Sequence, residues 1–128
     1  MSDPEQFVAG KHCLVLDDEF LIALDIQQIL ESAGAASVVS VSNAADALAA
    51  IRRGLRFDLA VLDVKLSGAA ESGVTVAAAL AEHGTAFVFL TGMRGEAEHT
   101  RQFPQAPVVD KPYAAEALLE VLRRVLNA

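Results

Sequence analysis

Five residues with chemically useful side chains each stand at the end of a short apolar run or just beyond it. They are three carboxylates, a hydroxyl and an ammonium group: Asp17, Asp18, Asp63, Thr91 and Lys111. Carboxylates a few ångströms apart raise one another's pKa, so a cluster of three requires positive charge nearby. Mg²⁺ meets this need because it prefers oxygen ligands and binds through one or two carboxylates. Together with an amine and a hydroxyl, the cluster suits phosphoryl transfer, in which a carboxylate attacks phosphorus and cations neutralise the phosphoryl oxygens.

The apolar runs predict the strands that would bring these residues together. Each run is too short for a typical helix, and the run ending at Asp63 has the unbroken apolar character of a strand buried on both faces. The predicted strands are residues 12–16, 37–41, 57–63, 86–90 and 107–110. Ligands bind outside the carboxyl ends of parallel strands, so the five side chains should converge at one edge of the sheet.

Helical patterns separate these strands. Apolar spacing and capping residues predict helices at about 20–33, 44–53, 74–82 and 114–126. Residues 94–103 have almost no apolar stripe, so a fourth helix there should be short or poorly formed. The alternation predicts an α/β fold, a doubly wound five-stranded parallel sheet of order 2-1-3-4-5.

Length and composition narrow the class of protein. The chain has 128 residues, 53% of them apolar, which fits one domain with a substantial core. Residues 1–10 read as a polar lead-in and residues 11–128 as the domain, with no output domain. The net charge of −7 argues against nucleic-acid binding. No apolar run approaches the roughly 18 residues of a membrane span, so we expect a cytoplasmic protein that binds neither nucleic acid nor membrane.

The motif set resembles the receiver domain of the response-regulator family, within the CheY-like superfamily. The resemblance runs from about Lys11 to the end and rests on Asp17-Asp18, Asp63, Thr91 and Lys111-Pro112. It implies a flavodoxin-like (βα)5 receiver fold, Mg²⁺ as cofactor, and a histidine kinase or histidine phosphotransfer protein as phosphoryl donor. It also implies a signalling protein that catalyses only its own phosphotransfer and dephosphorylation. The output would be contact with an unknown downstream protein, or the protein would serve as a phosphate sink.

The resemblance implies a role for each site residue. Asp63 is the phosphoacceptor. The Mg²⁺ ligands would be the carboxylates of Asp18 and Asp63, the backbone carbonyl of Lys65 and, through water, Asp17. The residues that contact the phosphoryl group would be Thr91 and Lys111.

Residues 87–93 resemble a subgroup of single-domain receivers, the FAT GUY receivers. The chain differs from that subgroup at Met93, where the subgroup has tyrosine, and at Leu90, where it has alanine. The loop after Asp63 reaches Gly73 two residues later than the common receiver pattern. We therefore expect this loop to bulge near the site.

Four residues are possible modulators of the site: Lys65, Met93, Val108 and Tyr113. Val108 stands where many receivers carry an aromatic switch, so the usual coupling of threonine to an aromatic ring is not expected. Tyr113 is more simply explained by packing at the start of a helix. The Lys65 side chain either shields the phosphoryl group or points into solvent.

Two other functions are compatible with the residues. A Mg²⁺-dependent phosphohydrolase could use Asp63 as its nucleophile, but phosphohydrolases of the haloacid-dehalogenase type carry a second aspartate two residues on, where this chain has Lys65. A non-phosphorylated docking module would not require the acids, all of which are present. Steady release of phosphate from small phosphomonoesters would identify a phosphohydrolase. Insensitivity of the acidic cluster to Mg²⁺ would identify a docking module.

Overall fold

The computed structural model describes residues 7–64, 73–92 and 102–127. Within these ranges five strands are present: β1 His12–Leu16, β2 Ser37–Val41, β3 Leu59–Asp63, β4 Ala86–Thr91 and β5 Val108–Asp110. The helices in the same ranges are α1 Phe20–Ser32, α2 Ala44–Arg52, α3 Gly73–Glu82 and α4 Ala115–Asn127. Most of the short helix predicted at 94–103 falls outside the described residues, as do Lys65 and Met93.

All five strands are parallel and form one sheet in the order β2-β1-β3-β4-β5, which confirms the predicted topology. The central strand β3 is buried at every position, as expected for a strand covered on both faces. Its register places Asp63 beside Leu90 of β4, and the register of β4 with β5 places Thr91 beside Asp110. The carboxyl ends of β3, β4 and β5 therefore lie at one edge.

Alternate residues of the strands enter two separate cores because successive side chains point to opposite faces. On one face, β1 and β3 residues such as Leu14 and Leu62 pack with α2 and α3. On the other face, Val15 and Val61 pack with α1 and α4, which contribute Ile26 and Leu118. The fold is thus doubly wound, and helices hold the central strands rigidly from both sides.

Local sequence explains the helix boundaries. The Asn43 side chain accepts a hydrogen bond of 2.8 Å from the backbone N–H of Asp46, so it caps α2 as predicted. Gly34 and Gly84 follow α1 and α3 with φ of 99° and 74°, a conformation that ends a helix cheaply only at glycine.

Two features differ from the simplest interpretation of the sequence. Val8 lies in the predicted polar lead-in, yet it is fully buried in the core formed with α1 and α4. Helix α1 buries Ala23, Ile26 and Leu30, whereas Phe20 and Leu21 of its apolar stripe are 75% and 76% exposed. The first turn of α1 follows the carboxyl end of β1 and extends beyond the core.

No helix in the described ranges is both long enough and apolar enough to cross a membrane.

Candidate functional site

The ends of β1 and β3 hold two buried carboxylates at the carboxyl edge of the sheet. Asp63 is the last residue of β3 and is 4% exposed, and Asp17 directly follows β1 and is 1% exposed. The Asp17 backbone N–H donates to the Val41 carbonyl at 3.2 Å. Its Oδ1 accepts a hydrogen bond of 2.8 Å from the Glu19 N–H. These contacts fix the loop between β1 and α1.

Asp18 joins these two residues to complete an acidic cluster. One carboxylate oxygen from each of Asp17, Asp18 and Asp63 lies within 4.8 Å of the others. Three like charges at this separation, two of them on buried residues, repel one another strongly. The predicted convergence of the three acids is therefore observed, and the cluster needs cations.

Lys111 supplies one of these cations. Its Nζ lies 2.9 Å from Asp17 Oδ2, 3.3 Å from Asp63 Oδ2 and 3.4 Å from Glu19 Oε1. The lysine side chain is only 12% exposed. Burial by itself would lower the pKa of Lys111, but the hydrogen bonds and charges of Asp17 and Asp63 outweigh it, so the pKa is raised and the amine stays charged.

The remaining donor atoms fit a divalent oxygen-seeking ion. Asp17 Oδ2 is buried and faces the Lys111 amine at 2.9 Å, and a carboxylate oxygen has room for a second partner as well. Among the described residues, the cluster brings together three carboxylates and the ammonium of Lys111, so negative charge is in excess. A cluster built only of oxygen donors is what Mg²⁺ prefers. The carbonyl of Lys65, a further predicted ligand, lies outside the described residues.

Thr91 ends β4 at the same edge and is 2% exposed. Its hydroxyl donates a hydrogen bond of 2.9 Å to Asp110 Oδ1. The backbone N–H of Lys111 donates to the Thr91 carbonyl at 2.7 Å. The contact with Asp110 was not predicted from the sequence. The pairing of Thr91 with Asp110 in the register of β4 and β5 is the feature that would have indicated it.

Two of the possible modulators can be located. Val108 begins β5 and is 40% exposed. It has no aromatic ring, and its side chain is not buried in the core. Tyr113 packs against the α1 and α4 core, as predicted, and its hydroxyl donates to Asp25 Oδ2 at 2.8 Å. Burial, together with the hydrogen bond and charge of Asp25, raises the pKa of Tyr113. This contact ties the segment after Lys111 to α1.

Gly73 begins α3 directly against the phosphoacceptor candidate. A Cβ at this position would overlap the backbone carbonyl oxygen of Asp63 and would also crowd its carbonyl carbon. Only a residue without a side chain permits so close an approach of α3 to the end of β3. The first residue of α3 thus helps to position the Asp63 backbone.

The chain is similar to a known protein family. The family model described as "Response regulator receiver domain" matches residues 13–123. No curated protein sequence matches the chain.

Several solved structures share the fold. A response regulator receiver protein from Sinorhizobium medicae WSM419 is 26% identical, with a TM-score of 0.83 over 93% of this chain and 96% of that one. A CheY-like receiver domain protein from Methanospirillum hungatei JF-1 is also 26% identical, with a TM-score of 0.79 over 93% and 95% of the two chains. The N-terminal domain of a response regulator/sensory box/GGDEF protein from Carboxydothermus hydrogenoformans is 26% identical, with a TM-score of 0.80 over 91% and 94%.

Proposed function

Since the chain belongs to the family of response regulator receiver domains, we propose that it accepts a phosphoryl group on Asp63 in a two-component system. The donor is a phosphohistidine of a histidine kinase or of a histidine phosphotransfer protein. One observation carries the proposal: the Lys111 amine lies 3.3 Å from the Asp63 carboxylate inside an otherwise acidic cluster. The subgroup suggested by residues 87–93 stays a prediction.

Asp63 acts as the nucleophile. Its carboxylate oxygen attacks phosphorus, the bond from phosphorus to the histidine nitrogen breaks, and that nitrogen keeps the electron pair. Because Asp63 ends a buried strand, its carboxylate is held in place before the donor arrives. Lys111 is positioned by Asp17 and neutralises negative charge next to the acceptor oxygen.

Asp17, Asp18 and Asp63 would hold Mg²⁺, with Asp17 acting through water. When bound, the ion neutralises phosphoryl oxygens and allows the carboxylates to remain ionised. The close approach of one carboxylate oxygen from each of these three residues supports this assignment. The carbonyl of Lys65 is proposed as a further ligand on the strength of the family resemblance alone.

Phosphorylation adds a charge of about −1.5 to −2 and three acceptor oxygens at the end of β3. Thr91 and Lys111 supply a donor and a charge at neighbouring strand ends, so they are the groups that respond. The surface around β4 and β5 then changes its affinity for a partner protein. The chain is thus a signalling module that catalyses only its own phosphotransfer and dephosphorylation.

The test is phosphorylation by a small donor. The protein is incubated with acetyl phosphate and Mg²⁺, and the intact mass is measured. We expect a gain of one phosphoryl group that requires Mg²⁺ and disappears in Asp63→Asn. A matched control is Asp58→Asn, because Asp58 is exposed and stands just before the opposite end of β3. Equal labelling of wild type and Asp63→Asn would refute the assignment.

A further inference from the structure

The hydroxyl of Thr91 already has an acceptor. Thr91 Oγ1 lies 2.9 Å from Asp110 Oδ1, and the two residues are register partners at the end of the β4–β5 pair. Thr91 is 2% exposed, so its hydroxyl has little access to water and depends on a protein partner. Asp110 is exposed and carries the charge that makes it a strong acceptor.

A threonine hydroxyl carries one proton and can donate to one acceptor at a time. A phosphoryl group on Asp63 would offer new acceptor oxygens at the same edge of the sheet. The bond from Thr91 to Asp110 would have to break before the hydroxyl could donate to those oxygens. Asp110 and the phosphoryl group are therefore competitors for a single donor.

We propose that Asp110 is a positioning residue that holds the Thr91 hydroxyl in the unphosphorylated state and must release it on phosphorylation. This inference rests on the proposed function of Asp63 and assigns a regulatory role to a residue just before Lys111. Val108 has no aromatic ring that could move together with Thr91. Asp110 is instead the residue whose contact with Thr91 would change. After release, the Asp110 carboxylate no longer accepts the hydrogen bond from Thr91. Asp110 is exposed on the edge strand β5, where a partner protein can contact the freed carboxylate.

The test measures binding of beryllofluoride, a phosphoryl mimic, in the presence of Mg²⁺. Asp110→Ala should bind the mimic about three- to tenfold more tightly than wild type, which is the range expected for loss of one competing hydrogen bond. Asp110→Asn keeps an acceptor oxygen and should lie between the two. Glu82→Ala removes one exposed charge at the end of α3 and should leave binding unchanged.

Removal of a negative charge near the site could also favour an anion without involving Thr91. The double variant separates the two causes: in a Thr91→Val background, Asp110→Ala should have no further effect on binding. An equal gain in both backgrounds, or no gain in either, would overturn the proposal. Failure of the wild type to bind beryllofluoride would instead overturn the proposed function.

A second readout does not depend on anion binding. Three-bond couplings to the Thr91 methyl group report its χ1 rotamer by nuclear magnetic resonance. We expect a single rotamer in the wild type and rotamer averaging in Asp110→Ala, with Glu82→Ala matching the wild type. An unchanged single rotamer in Asp110→Ala would show that Asp110 does not hold the hydroxyl.

Discussion

Lys111 Nζ lies 3.3 Å from Asp63 Oδ2, although 48 positions separate the two residues in the chain. The same amine lies 2.9 Å from the buried Asp17 carboxylate. One lysine thus joins the ends of β1 and β3 to the end of β5. Its charge both stabilises the acidic cluster and stands beside the proposed phosphoacceptor.

Replacement of this charge should impair phosphorylation. Lys111→Met keeps the length of the side chain but removes the ammonium, so we expect the labelling rate with acetyl phosphate to fall by about 100-fold, the effect typical of losing one charge-stabilising group. Lys11→Met is the matched control because Lys11 precedes the opposite end of β1. A folded Lys111→Met variant that is labelled at the wild-type rate would contradict the role of the amine.

Mg²⁺ should stabilise the folded protein. At a concentration 100-fold above its dissociation constant, an ion that binds only the folded state adds about 2.7 kcal/mol to the free energy of unfolding. Asp18→Asn should abolish this gain. Without Mg²⁺ the variant should be no less stable than wild type, since one repulsive charge has been removed. Thermal unfolding with and without the ion measures both effects, and a wild-type midpoint insensitive to millimolar Mg²⁺ would exclude the metal site.

Two glycines next to the site should differ sharply in tolerance to alanine. Gly73→Ala places a methyl group against the Asp63 carbonyl, and the required shift should cost about 1–3 kcal/mol. Among the described residues, a methyl group at position 92 would meet no atom within 4 Å, so Gly92→Ala should change stability by less than about 0.5 kcal/mol. Urea unfolding measures both variants, and equal destabilisation would show that α3 does not approach β3 as described.

The single cysteine should make stability fall at high pH. Burial, with a smaller contribution from the charge of Asp58, raises the pKa of Cys13 from 9.0 to about 11. The folded state therefore retains the thiol proton that the unfolded chain loses. Stability from this source is complete below pH 9 and is lost as the pH rises to about 11, by about 2 to 3 kcal/mol in total.

Comparison with Cys13→Ala isolates this effect, because Tyr113 and Lys111 titrate at high pH in both proteins. The difference in the free energy of unfolding between wild type and Cys13→Ala should shrink or reverse between pH 9 and 11. A constant difference over that range would mean that the thiol is not buried in the folded state.

Much of the fold could be predicted because its signals are local. Short apolar runs ending in polar residues identified the five strands, and Asn43 identified the start of α2. The convergence of Asp17, Asp63 and Lys111 followed from the rule that parallel strands present their carboxyl ends at one edge. Neither prediction required knowledge of side-chain direction.

The contacts that could not be predicted depend on exact register and on side-chain direction. The Thr91–Asp110 bond requires that the last residues of β4 and β5 be paired, and a shift of one residue would turn Asp110 away. The bond from Tyr113 to Asp25 joins a loop to the surface of α1, which no local pattern encodes. Val8 was missed because the apolar run that contains it, Phe7 to Ala9, is too short to give a periodic signal.

The central claim is that Asp63 carries the phosphoryl group, and chemical mapping tests it most directly. Borohydride reduces an aspartyl phosphate to homoserine, which peptide mass spectrometry can place at a single residue. After incubation with acetyl phosphate and Mg²⁺, we predict homoserine at position 63 and unmodified aspartate at Asp17 and Asp18. Homoserine at either of those two positions, or at none in a protein that has gained a phosphoryl group, would contradict the account.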